Sequence, residues 1–275
     1  QGERKQLLET DGTPIIKSAT TGHTHVGIGA MLLGWNTAQY EIWDGMRGID
    51  YLQSRPDIDG KKIGCMGNSG GGTQTSYLMA LDERIVAAAP SCYITSFERL
   101  LATIGPQDAE QNIFGQLATG MNHADYVIMR APRPTLICAA TKDFFDIGGS
   151  WDAFREAKRV YMRFGFGERV DLAENDDKHG FKKPLREAAA RWMVRWLAGR
   201  DVAVTEPEIE LLSDKEMGST PDGQVMLLPR ARSAFDLNLE EAERLASVRK
   251  RKWSDETAAQ TRERIRKTLG IPVLG

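Results

Sequence analysis

One serine in this chain stands where a sequence can turn it into a nucleophile. Lys62-Ile63-Gly64-Cys65-Met66 reads as a short strand, and Gly67-Asn68-Ser69-Gly70-Gly71-Gly72 follows it at once. Gly67, Ser69 and Gly71 fit G-x-S-x-G, the pattern that holds a serine exposed on a sharp turn between a strand and a helix. A serine there has a strained backbone, and side chains two residues before and after it are expected to collide across the turn. The hydroxyl also needs a base. Of the four histidines, His23, His25, His123 and His179, only the last two follow Ser69. His179 lies in Asp177-Lys178-His179-Gly180-Phe181, after the strand-like Arg169 to Ala173. An amphipathic helix follows, with Leu185, Ala189, Trp192, Met193, Trp196 and Leu197 on one face. His123 sits in a polar stretch with no strand before it and reads as a surface or lid histidine. His23 and His25 stand among glycines, which suggests a loop near the rim of the site. Two such ligands without a third make a weak metal site, so neither a metal nor a cofactor is expected.

The motif resembles the nucleophile elbow of α/β-hydrolases, in which the chain order is serine, acid, histidine. The acid is then expected at the end of Pro134-Thr135-Leu136-Ile137-Cys138-Ala139-Ala140, an apolar run suited to a buried parallel strand. It leads into Thr141-Lys142-Asp143-Phe144-Phe145-Asp146. Asp143, nearer the strand end, is the first choice and Asp146 the alternative. In that arrangement His179 takes the proton of Ser69 as the serine attacks a carbonyl carbon, and Asp143 orients the imidazole. The backbone N–H of Gly70, at a helix N-terminus, is the expected donor to the oxyanion.

The elements that must hold these groups follow from periodicity. Helices are predicted for Thr37–Ser54, Thr73–Leu81 and Trp151–Phe164, and a strand for Arg84–Ala89. Residues 94–132 form a long excursion, read as a lid that Phe97, Leu100, Leu101, Ile104, Phe114 and Met121 could line. Trp35, Tyr40 and Trp43 are read as core packing of the first of these helices rather than as a sugar platform. After Arg200 the chain turns polar, then charged. Helices are expected for Leu237–Trp253 and Ser254–Leu269, with Ser254 as N-cap and Gly270 as C-cap. The basic run Arg249-Lys250-Arg251-Lys252 reads as a solvated helix face.

From Gln1 to about Gly199 the chain resembles α/β-hydrolases of the acetyl xylan esterase and dienelactone hydrolase kind. The segments that carry this are Gln1-Gly2-Glu3-Arg4, Asp44-Gly45-Met46-Arg47-Gly48-Ile49-Asp50-Tyr51-Leu52, Pro56 to Gly64, and His179-Gly180-Phe181. The resemblance implies a three-layer sandwich with a mostly parallel sheet, and a serine esterase, favouring carbohydrate acetyl esters. Dienelactone hydrolase, serine peptidase and a catalytically inert module of the same fold are the alternatives. The elbow lacks the glutamine of one acetyl esterase group, and the cysteine and arginine neighbours of glucuronoyl esterases. No His-Gly pair precedes Ser69 to give a second oxyanion donor. Only 61 residues precede the strand, too few for a full set of strands. The expectation is a catalytic domain over 1–200, incomplete at its N-terminus, and a linker with a charged helical extension over 201–275, both part of a longer parent chain.

Length and composition agree with a soluble enzyme, and the resemblance implies a small-molecule or carbohydrate ester as its substrate. A net charge of −2 over 275 residues gives no argument for nucleic acid or an anionic membrane. Cys65, Cys92 and Cys138 are widely spaced and read as reduced packing thiols. The compartment stays open between cytoplasmic and secreted or periplasmic.

Overall fold

The computed structural model describes residues 3–272; Gln1, Gly2 and Val273 to Gly275, parts of two segments discussed above, lie outside them. In chain order the elements are α1 (Ala19–Leu32), α2 (Ala38–Ser54), β1 (Ile63–Asn68), α3 (Gly70–Leu81), β2 (Ile85–Ser91), α4 (Phe97–Thr103), α5 (His123–Ile128), β3 (Thr135–Lys142), α6 (Ile147–Arg163), β4 (Val170–Lys178), α7 (Lys183–Ala198), α8 (Ala234–Asp255) and α9 (Ala258–Leu269). They fall into two compact units, 36–217 and 3–35 with 218–272. Residues 3–35, which the sequence reading joined to the catalytic part, thus group with the C-terminal helices.

In the larger unit four parallel strands lie in the order β1-β2-β3-β4. Alternate side chains feed two cores, as the period of a strand requires. Ile63, Ile85, Ala88, Ile137 and Val170 face a layer built from α2, α3, α5 and α6. Ala89, Leu136, Cys138 and Ala140 face Leu185, Ala189 and Trp192 of α7. The result is helix, sheet, helix, the arrangement a parallel sheet needs to cover both its faces. At the amino ends of the strands the buried Arg130 guanidinium donates to the carbonyls of Met79, Ile85 and Pro134 and to Thr135 Oγ1. One side chain thereby ties α3, β2 and β3. Burial lowers its pKa to about 10, which leaves it charged at neutral pH.

Several elements depart from the sequence reading. β4 runs on to Lys178 rather than stopping at Ala173. Its polar second half is tolerated because among the described residues β4 pairs with β3 alone, and Asp176 is held by Thr141 and Lys142. Trp43 is exposed rather than in the core, with the Arg47 guanidinium 4.4 Å above its ring. Of the six residues proposed to line a lid, Phe97 and Leu100 are buried, whereas Phe114 is 95% exposed.

In the smaller unit His23 and His25 lie in helix α1, not in a loop. The helix is held by its buried Val26 and Ala30 and by contact with α8. A Cβ on Gly29 would come 3.0 Å from Asn238 of α8, so the glycine serves close helix approach. The α8–α9 boundary also moves. Ser254 lies inside α8 and bonds back to the Arg251 carbonyl, while Thr257 and Gln260 form a capping box for α9. Gly270, at φ 63°, ends α9 as its left-handed cap.

The elbow shows where glycine is needed. A Cβ on Gly67 would lie 2.5 Å from the Gly71 carbonyl oxygen, and one on Gly72 2.4 Å from that of Ser91. A Cβ on Gly71 would meet nothing within 4 Å, so the expected clash comes from Gly67 and not from Gly71. Gly72→Ala is therefore expected to cost about 1–3 kcal/mol in urea denaturation, as backbone overpacking does. Gly71→Ala should stay within about 0.5 kcal/mol of the parent. Equal effects would show that the α3–β2 approach is not what requires glycine.

Candidate active site

Parallel strands deliver their carboxyl ends to one edge of a sheet, and loops leaving that edge carry the candidate groups. Ser69 follows β1, Cys92 follows β2, Asp143 follows β3 and His179 follows β4. Ser69 has φ 57° and ψ −120°, a region that a residue with a Cβ rarely enters. Its N–H donates to the Ser91 carbonyl at 2.9 Å, and its own carbonyl accepts from Thr73 at 2.9 Å. Its side chain makes no cap bond to α3. The hydroxyl is thus not consumed by the helix whose first residue, Gly70, presents an exposed backbone.

His179 and Asp143 meet. The imidazole Nδ1 lies 2.8 and 2.9 Å from the two Asp143 oxygens. The Asp143 side chain is 1% exposed and that of His179 23%. The N–H of Phe145 donates to Asp143 Oδ1 at 3.1 Å, and the Phe144 ring stacks on the imidazole at 4.3 Å. Asp146, the alternative acid, is used elsewhere. It accepts from the Gly149 N–H at 3.0 Å as the N-cap of α6 and lies 3.9 Å from Arg99.

Strand spacing poses a problem for any reaction that needs Ser69 and His179 together. β1 and β4 are three strand steps apart, roughly 14 Å. The loop after β4 leans back over that gap. The Gly180 carbonyl accepts from Cys92 Sγ at 3.7 Å, so it has passed β3 and reached the end of β2. There Ser91 Oγ donates to Asn68 Oδ1 at 3.1 Å, one residue before the nucleophile. Among the described residues no hydrogen bond joins Ser69 Oγ to His179. Bonds of this kind are often longer without substrate.

Cys92 is the site residue that sequence reasoning treated as packing alone. It is buried, has φ 50°, and its Sγ lies within 4.8 Å of the facing Asp143 and His179 atoms. Burial pushes its thiol pKa up, which keeps it protonated. Sulfur, carboxylate and imidazole at that spacing are also a set that could hold a cation. Its place just after the Arg84–Ala89 run was the available signal.

His123 is neither on the surface nor in an open lid. It is 1% exposed, between the rings of Tyr93 at 4.6 Å and Phe97 at 4.4 Å. The apolar Ala124, Tyr126 and Val127 that follow it were the missed signal, since all three are buried with it.

No protein-family model matches the chain. It is similar to a protein of Bacillus subtilis (strain 168) named "Putative hydrolase YtaP", with 27% identity over 161 residues, 57% of this chain and 53% of that one. Among solved structures it is similar to a carbohydrate esterase family 15 glucuronoyl esterase from Caldicellulosiruptor kristjansonii, with TM-score 0.52 and 18% identity over 71% of this chain and 57% of the other. The glucuronoyl esterase catalytic domain Cip2_GE from Hypocrea jecorina gives TM-score 0.52 and 15% identity over 70% and 60%. The chain has the α/β-hydrolase fold of these esterases, and it spans about half the length of the curated relative. No described helix is long and apolar enough to cross a membrane.

Burial holds the His123 pKa down at about 3, against 6.5 ordinarily. Between those values the unfolded chain binds a proton that the folded chain refuses. Stability is then complete above about pH 6.5 and falls with acid by roughly 1.4 kcal/mol per pH unit. Urea midpoints measured from pH 7 to pH 4 should fall more steeply for the parent than for His123→Phe. Parallel curves would mean that His123 protonates in the folded state.

Proposed function

We propose that this chain carries the catalytic part of a serine hydrolase that cleaves carboxylic esters through Ser69, His179 and Asp143. The observation that carries the reading is the return of the post-β4 loop. It brings the imidazole onto a buried carboxylate and Gly180 onto the end of β2, beside the strand that bears the strained serine.

The chemistry follows from those positions. Asp143 accepts from Nδ1–H, which leaves the Nε2 lone pair free to act as base. Nε2 takes the Ser69 proton as Oγ bonds to the ester carbonyl carbon. The electron pair of the C=O bond moves to oxygen, where the Gly70 N–H and the N-terminus of α3 stabilise it. When the carbonyl re-forms, the ester C–O bond breaks and the imidazolium protonates the departing alcohol. Water then repeats the sequence on the acyl-enzyme and releases the acid. Asp143 is preferred to Asp146 because Asp146 already caps α6.

For the substrate class, the support is the resemblance of the segments around Asp44–Leu52, Pro56–Gly64 and His179–Phe181 to acetyl xylan esterases, together with a fold shared with proteins named as carbohydrate esterases. Carbohydrate acetyl esters are the substrates we favour. One observation favours a second reading, a hydrolase-like module without turnover: no Ser69–His179 hydrogen bond is formed among the described residues.

A fluorophosphonate probe separates the two. The active reading expects labelling of the folded chain that disappears in Ser69→Ala. It also expects p-nitrophenyl acetate turnover to fall about 10²–10⁴-fold in Asp143→Asn, with Asp146→Asn close to the parent. Absence of labelling in folded chain would leave the inert module. A larger loss in Asp146→Asn than in Asp143→Asn would move the acid.

A further inference from the structure

Three side chains of different chemistry converge at the carboxyl ends of three adjacent strands, β2, β3 and β4. Cys92 Sγ, an Asp143 carboxylate oxygen and a His179 ring nitrogen all lie within 4.8 Å of one another. The nitrogen that faces the carboxylate is Nδ1, 2.8 and 2.9 Å from its two oxygens. Thiolate, carboxylate and imidazole are the donors of zinc sites, and three of them with a water complete a tetrahedral ion. With Zn–N near 2.0 Å and Zn–S near 2.3 Å, donor atoms on one such ion stand roughly 3.3–3.7 Å apart. To admit it, the nitrogen and oxygen part by about 0.5 Å and the sulfur closes in by no more than about 1 Å.

Charge and surroundings suit a divalent ion. Thiolate and carboxylate carry two negative charges and the imidazole none, so the filled site is neutral and burial does not penalise it. Cys92 and the Asp143 side chain are buried, and the part-exposed His179 leaves a way in. Supporting contacts are in place around the donors. The Phe145 N–H donates to Asp143 Oδ1 at 3.1 Å, which leaves Oδ2 for the ion. Ser91 Oγ lies 3.6 Å from Cys92 Sγ, where its hydrogen can turn to a thiolate. Sulfur and imidazole select zinc-like ions over magnesium and calcium.

We propose that Cys92, Asp143 and His179 bind a zinc-like divalent cation, and that the ion switches off the base. It takes Nδ1 in place of the proton there. The thiol, which donates to the Gly180 carbonyl at 3.7 Å, loses its hydrogen to solvent, and the neutral ring carries its one proton on Nε2. One ion enters and one proton leaves the protein. Nε2 then has no lone pair with which to take the Ser69 proton. The switching rests on the hydrolase reading given above; the binding does not.

Co²⁺ and Zn²⁺ are the probes, with Mg²⁺ as the hard control. Titrated with Co²⁺, the chain should show sulfur-to-cobalt charge-transfer absorption and the visible bands of a tetrahedral ion, saturating at one equivalent. Calorimetry should show Zn²⁺ binding and no heat with Mg²⁺. Zn²⁺ should bind Ser69→Ala as it binds the parent, and Cys92→Ala, checked for fold by circular dichroism, at least about 100-fold more weakly. Nitrogen NMR of the His179 ring should place the proton on Nε2 once Zn²⁺ is bound. Turnover of p-nitrophenyl acetate should cease with Zn²⁺ and return with EDTA. Cobalt spectra without the sulfur band would overturn the site, and no variant is needed to see it. Equal Zn²⁺ affinity in parent and Cys92→Ala, or zinc on Nε2, would do the same. Turnover that persists with the site filled would overturn the switch. A chain that hydrolyses no ester but shows the sulfur band and the relocated proton would keep the metal site and lose the hydrolase reading.

Discussion

A base on the fourth strand cannot serve a serine on the first unless its loop crosses the strands between. That crossing is the constraint on which the site depends. It is held from three sides: Asp143 under the imidazole, Phe144 stacked on it, and Cys92 beneath the Gly180 carbonyl. Gly180 itself has φ 151°, a conformation that a side chain would resist, and so lets the chain turn back directly after the histidine. Cys92 sits at the opposite limit, a residue with a Cβ held at φ 50°. Two residues with a Cβ at positive φ, Cys92 and Ser69, thus cluster at one edge of the sheet. Strain of this kind persists where the surrounding packing overdetermines it, and here the two cores supply that packing.

The opposite edge is organised by a different group. Arg130 spends its guanidinium on backbone carbonyls of α3, β2 and β3 rather than on an acid. A buried charge is tolerable when its donors are satisfied, and these carbonyls lie in α3, at the start of β2 and just before β3. The amino ends are therefore locked by a charge, while the carboxyl ends carry the loops that do chemistry.

Much of the candidate site was legible because its signals are local. The glycine spacing, the apolar run before it and the order of Ser69 and His179 require only neighbours in sequence. Asp143 and Asp146 were separable only in part. Both stand at the end of one strand, and the choice rests on which carboxylate caps α6, a matter of three-dimensional geometry, although an aspartate just before a helix is itself a cap signal. His123 was misread because polar neighbours at 120–122 masked the apolar run that follows it. His23 and His25 were misread for the converse reason: glycines suggest a loop, but here they lie within α1, where Gly29 sits close against Asn238 of α8. Cys92 joins the site through contacts with residues 51 and 87 positions away, which no spacing rule reports.

The sheet order has a mechanical corollary. Asp143 rides on β3, which is laddered on both sides, whereas Ser69 rides on β1, which among the described residues has a ladder on one side only. The acid thus follows an interior strand, whereas the nucleophile, like the histidine, follows an edge strand of the described sheet. Rigidity at the serine must then come from elsewhere, and the tight seat of α3 against the Ser91 carbonyl, permitted by Gly72, is the feature that restores it.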